Sequence, residues 1–96
     1  MLSAVRFMTG TPIDRSGTTS AGASSQVAPA IENRKGFWFQ NISDTEMWIN
    51  EIGAASAGSP SIKIPPSALY EFSCVPITAI NVFCTVGGKA YSARGW

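Results

Sequence analysis

The sequence predicts an all-β fold: a small antiparallel β-sandwich or jelly-roll-like barrel with an extended N-terminal arm. Three observations carry this expectation. From residue 34 to residue 96 the chain runs as short stretches in which apolar and polar residues alternate, the period of a strand with one buried face. Gly, Pro, Asn, Asp and Ser separate those stretches, where turns need them. No stretch carries a convincing 3.6-residue period, so no helix is expected.

The N-terminal third differs. After a short apolar start, residues 9–25 are rich in Gly, Ser and Thr and follow neither strand nor helix periodicity. Alone, such a segment does not offset the entropy of ordering. Residues 1–25 are therefore expected to form an arm, either a flexible tail or an extension that orders along a neighbouring subunit. Val5, Phe7, Met8 and Ile13 are the candidate anchors of that arm, because a tail that touches nothing has no use for them. Residues 26–96 form the expected β-domain.

Within the domain, residues 26–31 read as a short strand, and Pro29 confines it to an edge or a bulge. Residues 32–36 read as a turn. Residues 36–42 are the clearest strand, with Phe37 and Phe39 on one face and Trp38 and Gln40 on the other. A polar turn follows, then residues 46–52, in which Met47 and Ile49 alternate with Glu46, Trp48 and Asn50. The short turn predicts that these two strands pair as an antiparallel hairpin, with Trp38 and Trp48 on the same outward face. Residues 53–60 are a small-residue loop, and Ile62 and Ile64 share the face of a brief strand. Pro65 and Pro66 force a turn. Leu69, Glu71 and Ser73 then alternate with Tyr70, Phe72 and Cys74. Ile80, Val82, Cys84 and Val86 share one side of the next strand, Gly87 and Gly88 signal a tight hairpin, and a last strand ends at Trp96.

Composition narrows the function. Seven basic residues face six acidic ones, and charged residues make up only 14% of the chain. A nucleic-acid binder of this size is expected to show a basic stripe, whereas Arg34 and Lys35 are the only adjacent basic pair; no nucleic-acid partner is expected. Low charge with 45% hydrophobic residues suggests a surface partly covered by other protein. No apolar run reaches the length of a membrane span, and residues 1–8 lack the apolar core of a signal peptide. The expectation is a chain made in a cytoplasm and assembled there, with no membrane partner.

Chemistry is sparse. There is no histidine, which removes the usual general base and the commonest metal ligand. Cys74 and Cys84 cannot complete a zinc site by themselves and are expected as two buried free thiols, although a bridge between consecutive strands is also open. Asp44 and Glu46 are the closest acidic pair and read as a solvated turn rather than a glycosidase dyad or calcium loop. Gly87, Gly88 and Lys89 lack the spacing of a phosphate loop. The pattern at Asn41, Ile42 and Ser43 matches a glycosylation acceptor without a secretory context. No catalytic residue, cofactor or metal is expected. Trp38 and Trp48 leave three readings open: a subunit interface, packing within the domain, or stacking on a sugar or base.

Arg34, Gln40, Asn41 and Ser43, the aromatic strand that follows, the Gly/Ala loop, the run from Ser61 through Ile62, Lys63, Ile64, Pro65 and Pro66, the Tyr70–Glu71–Phe72 strand and the Val75-to-Ile80 segment together resemble small tailed-bacteriophage virion proteins, the head decoration or cementing class. That resemblance spans roughly residues 25–96. It implies a β-sandwich, often trimeric, that binds the major capsid protein on the capsid exterior and performs no catalysis. Where the class commonly has Gly-Gly, this chain has Pro66 and Ser67, and so long an arm is not general in it. Partner-contact candidates are then Val5, Phe7, Met8 and Ile13 in the arm and Trp38, Trp48 and Trp96 on the domain. The rival reading is a head-fibre or tail-associated module that recognises host-surface carbohydrate through Trp38, Trp48 and Tyr70.

Overall fold

The computed structural model describes residues 10–96, which form nine β-strands and no helix: β1 (Ile13–Asp14), β2 (Gly17–Thr18), β3 (Ala23–Ala28), β4 (Phe37–Asn41), β5 (Met47–Asn50), β6 (Ile62–Ile64), β7 (Leu69–Glu71), β8 (Ile80–Cys84) and β9 (Ala90–Gly95). One sheet has the order β1-β9-β4-β7, with β2 also on β9; the other has the order β3-β8-β5-β6. All pairings between these strands are antiparallel.

The pairings are nested. β5 pairs with β6, β4 with β7, β3 with β8, and β1 and β2 with β9. The chain is thus one long hairpin whose tip is the β5–β6 loop. Wrapping that hairpin adds the lateral pairs β4–β9 and β5–β8 and closes two layers, the jelly-roll arrangement. β1 and β2 together occupy a single strand position, broken at Arg15 and Ser16. There Arg15 N donates to Ala93 O (2.8 Å), and Ala93 N donates to Ser16 Oγ (3.1 Å).

The core lies between the layers and follows the alternation of the sequence. Phe37, Phe39, Met47, Ile49, Ile80, Val82 and Cys84 are fully buried. Phe39 stacks on Tyr91 with ring centroids 5.0 Å apart, and Tyr70 meets Phe72 edge-on at 5.0 Å. Burying a side chain of this size removes enough apolar surface to stabilise by about 1.5–3 kcal/mol each.

Four sequence expectations need correction. The boundary at residue 25 falls inside β3, and the described part of the expected arm supplies strands to both sheets. Side-chain periodicity misses this because edge strands are held through backbone groups: besides the Arg15 bond, Thr19 N donates to Lys89 O at 3.0 Å. The expected hairpin of β4 and β5 does not form, since these strands belong to opposite sheets. The same holds for β8 and β9 across Gly87 and Gly88. A few turn residues suffice to cross between layers about 10 Å apart, so a short turn does not fix in-sheet pairing. Finally, Cys84 is buried but Cys74 is exposed, and both are free thiols.

β3 ends before Pro29 and is an edge strand, as that proline requires. β4 and β5 both end in a buried asparagine that folds the following turn. Asn41 Oδ1 accepts from Ser43 N (2.9 Å) and Ser43 Oγ (2.7 Å), while its Nδ2 donates to Thr45 O and Ile64 O. Asn50 Oδ1 accepts from Ile52 N (2.7 Å) and Gly53 N (3.1 Å). Asn41 therefore has no amide free for glycosylation.

Candidate contact surfaces

The strand directions place every loop at one of two ends. The turn end carries residues 19–22, 42–46, 65–68 and 85–89. The open end carries residues 29–36, 51–61 and 72–79, together with residues 10–12 and Trp96. Large exposed aliphatic residues divide between them: Ile42, Leu69 and Val86 at the turn end, and Ile13, Ile52 and Ile77 at the open end. Of these, only Ile13 was named from sequence as a contact candidate. It pairs with Gly95 on β9 and is exposed. Val5, Phe7 and Met8 lie outside the described residues.

Trp38 lies on the outward face of the first sheet, in a row that crosses four strands. Asp14 opposes Arg94, Arg94 opposes Trp38, and Trp38 opposes Glu71. The Arg94 guanidinium sits 5.5 Å from the Trp38 ring centroid, a cation–π arrangement that leaves the indole half-buried. Asp14 is held below the usual carboxylate range, first by its hydrogen bonds with Ser16 and then by the Arg94 charge.

Trp48 lies on the outward face of the other sheet, so the two tryptophans expected to share a face are on opposite sides of the sandwich. Its cross-strand neighbours are Phe83 and Lys63, and Phe83 in turn opposes Ser24. Phe83 was not anticipated as a contact residue. Its signal was present, because it alternates with the buried Val82 and Cys84. Tyr70 points inward against Phe72 and cannot join either tryptophan in a sugar site.

Trp96 caps the open end. Its backbone oxygen accepts the amides of Lys35 and Gly36, and Trp96 N donates to Gly36 O at 3.1 Å. Its indole occupies the space that a Cβ at residue 36 would need, which requires glycine there. Beside it, Arg34 is only 8% exposed. Arg34 Nη1 donates to Pro76 O (2.7 Å) and Thr78 O (3.0 Å), and Nη2 donates to Pro29 O. One guanidinium thereby ties the β3–β4 loop to the β7–β8 loop, with the Phe37 ring 5.5 Å away. Burial, and then the neighbouring Arg15 charge, lower its pKa. Sequence reading placed Arg34 in a turn; nothing local predicts that two distant loops converge on it.

The acidic pair serves as two separate ion pairs, Asp44 with Lys89 (2.7 Å) and Glu46 with Lys63 (3.1 Å). Lys89 is thereby engaged at the turn end. Among the described residues no group of three His, Cys, Asp or Glu side chains is placed to hold a metal, and no helix is long and apolar enough to cross a membrane. Comparison with protein-family models, with curated proteins and with solved structures finds no match to this chain.

Proposed function

We propose that this chain is a structural virion protein that decorates and stabilises a bacteriophage capsid by binding the major capsid protein on its exterior. In this reading it acts as a homotrimer, assembles in the cytoplasm of the bacterial host, performs no catalysis and takes no cofactor. The observation that carries the reading is the set of six large aliphatic residues exposed by 42–76% and gathered at the two loop ends of so small a domain. Exposed apolar groups concentrated at loops fit a surface covered by another protein. A jelly roll is a rigid module used in capsid and lectin domains, and it hosts many other roles as well, so the loops and not the topology bear the weight.

The test is cosedimentation with purified heads of the encoding virus, for the full chain and for a truncation lacking residues 1–9. β1 begins at Ile13, so the truncation is expected to fold. Loss of most head binding on truncation supports Val5, Phe7 and Met8 as anchors. Failure of the full chain to bind heads, together with a monomeric sedimentation profile, rejects the proposal. Deleting residues 1–25 is no substitute, because it removes β1, β2 and half of β3.

The carbohydrate-binding alternative is favoured by one observation: Trp48 and Phe83 oppose each other on an outward sheet face. Neighbouring aromatic rings offer a platform on which a sugar can stack. Titrating tryptophan fluorescence with host polysaccharide separates the readings, since an unchanged spectrum removes this one.

A further inference from the structure

At the open end, a cavity of about 200 Å³ lies between the β1 segment, the chain around residues 31–37 and Trp96. Its lining combines three cations, Arg15, Arg34 and Lys35, with the apolar surfaces of Ile31, Phe37 and Trp96. No Asp or Glu lines it. The sequence contains six Asp and Glu side chains, Asp14, Glu32, Asp44, Glu46, Glu51 and Glu71, all within the described residues. Asp44 and Glu46 are paired with Lys89 and Lys63, and these are the two ion pairs among the described residues. Among the described residues, none of the three cavity cations has an Asp or Glu side chain as a partner.

Arg34 makes the imbalance acute. Three carbonyls accept its N–H groups, yet a carbonyl satisfies a donor without cancelling a full charge. A buried cation that lacks a counter-charge is costly, and the nearby Arg15 charge acts against it. An anion placed in the cavity removes both penalties. The volume sets the size of its carrier: a dry cavity of about 150 Å³ takes benzene, so this one accommodates a ring or a short branched chain bearing one acidic group.

We propose that this cavity binds a carboxylate carried on a compact apolar body, the oxygens directed to Arg15, Arg34 and Lys35 and the body packed between Ile31, Phe37 and Trp96. Two sources supply this chemistry: a free aryl or alkyl acid, or a glutamate side chain presented by another polypeptide. The proposal does not depend on the virion reading.

An NMR titration of the ¹⁵N-labelled full chain tests it with three probes: phenylacetate, the neutral isostere phenylacetamide, and a capped tetrapeptide with one glutamate beside a phenylalanine. Saturable shifts at the Gly36, Gly95 and Trp96 amides are expected with phenylacetate or the peptide, and the tighter of the two identifies the source. Phenylacetamide is expected to bind about tenfold more weakly, as is phenylacetate to Arg15→Gln, a change of about 1.4 kcal/mol. If Arg15→Gln loses the dispersed spectrum of a folded chain, Lys35→Gln takes its place and must show the same weakening. Absence of saturable shifts with both carboxylates overturns the proposal. So does equal affinity for phenylacetate and phenylacetamide, or unweakened binding in a folded variant.

Discussion

The two ends of the sandwich bury polar groups in different ways. At the turn end, Asn41 is fully buried and uses both amide hydrogens and its carbonyl oxygen within 3 Å of partners. Thr19 Oγ1 donates to Val86 O and accepts from Lys89 N, and the Lys89 charge meets Asp44 outside. At the open end, Arg34 is also buried and hydrogen-bonded, but among the described residues no Asp or Glu side chain answers its charge. The contrast separates two requirements that are often merged. Hydrogen bonding satisfies a buried neutral amide completely. For a buried cation it satisfies the donors and leaves the charge, so the turn end is electrostatically closed and the open end is not.

Replacing Arg34 strains the comparison most. Arg34→Met leaves the carbonyls of Pro29, Pro76 and Thr78 without their donor and unties two loops. Unsatisfied buried acceptors cost about 1–3 kcal/mol each. Partial hydration at the loops brings the expected loss to about 3 kcal/mol, read as a lower urea midpoint with little change in slope. A variant as stable as the parent would mean that the charge penalty outweighs the three hydrogen bonds.

Asn41→Ala attacks the closed end. It removes the donor for Thr45 O and Ile64 O and the acceptor for Ser43, with an expected loss of about 2 kcal/mol in the same urea experiment. Added phenylacetate is expected to raise the midpoint of this variant as much as that of the parent, because its cavity is intact, whereas Arg34→Met is expected to gain less. Equal gains in both variants would erase the difference between the ends.

Asp44→Asn has the smallest effect and sharpens the account of the exposed ion pair. The Asp44 carboxyl is held below its ordinary value, first by the hydrogen bond from Lys89, then by Thr45 and the Lys89 charge. A carboxylate with a depressed folded pKa contributes stability that is present above its unfolded value, about 3.9, and is lost as pH falls through the folded value. Tm is therefore expected to fall less steeply below about pH 4 in Asp44→Asn than in the parent. At neutral pH the two should differ little, since exposed pairs contribute little. Asp14, lowered through Ser16 and Arg94, supplies part of the remaining acid slope.

The inward faces were legible because alternation is local. Phe37 and Phe39, Met47 and Ile49, and Ile80, Val82 and Cys84 each declare a buried side at every second residue, and each is buried. Pro29 likewise marked an edge strand. Of the contact candidates, Trp38 and Trp48 were legible as outward-facing residues. That they look out from opposite sheets was not, because an outward direction is relative to a sheet and nothing local assigns β4 and β5 to different ones. β1 and β2 escaped notice because backbone pairing with β9, and no apolar stripe, holds them.

By itself, the sequence determined an all-β chain, the face that each apolar strand buries, and a repertoire without histidine. The tertiary structure decided which strands are neighbours, that Gly- and Thr-rich residues near the N-terminus complete the sheets, and that Arg34 is buried beside Arg15 and Lys35. Strand periodicity is encoded over two residues. Pairing and the convergence of loops are encoded only in the closure of the whole nested hairpin, which joins β1 to β9 across the length of the chain.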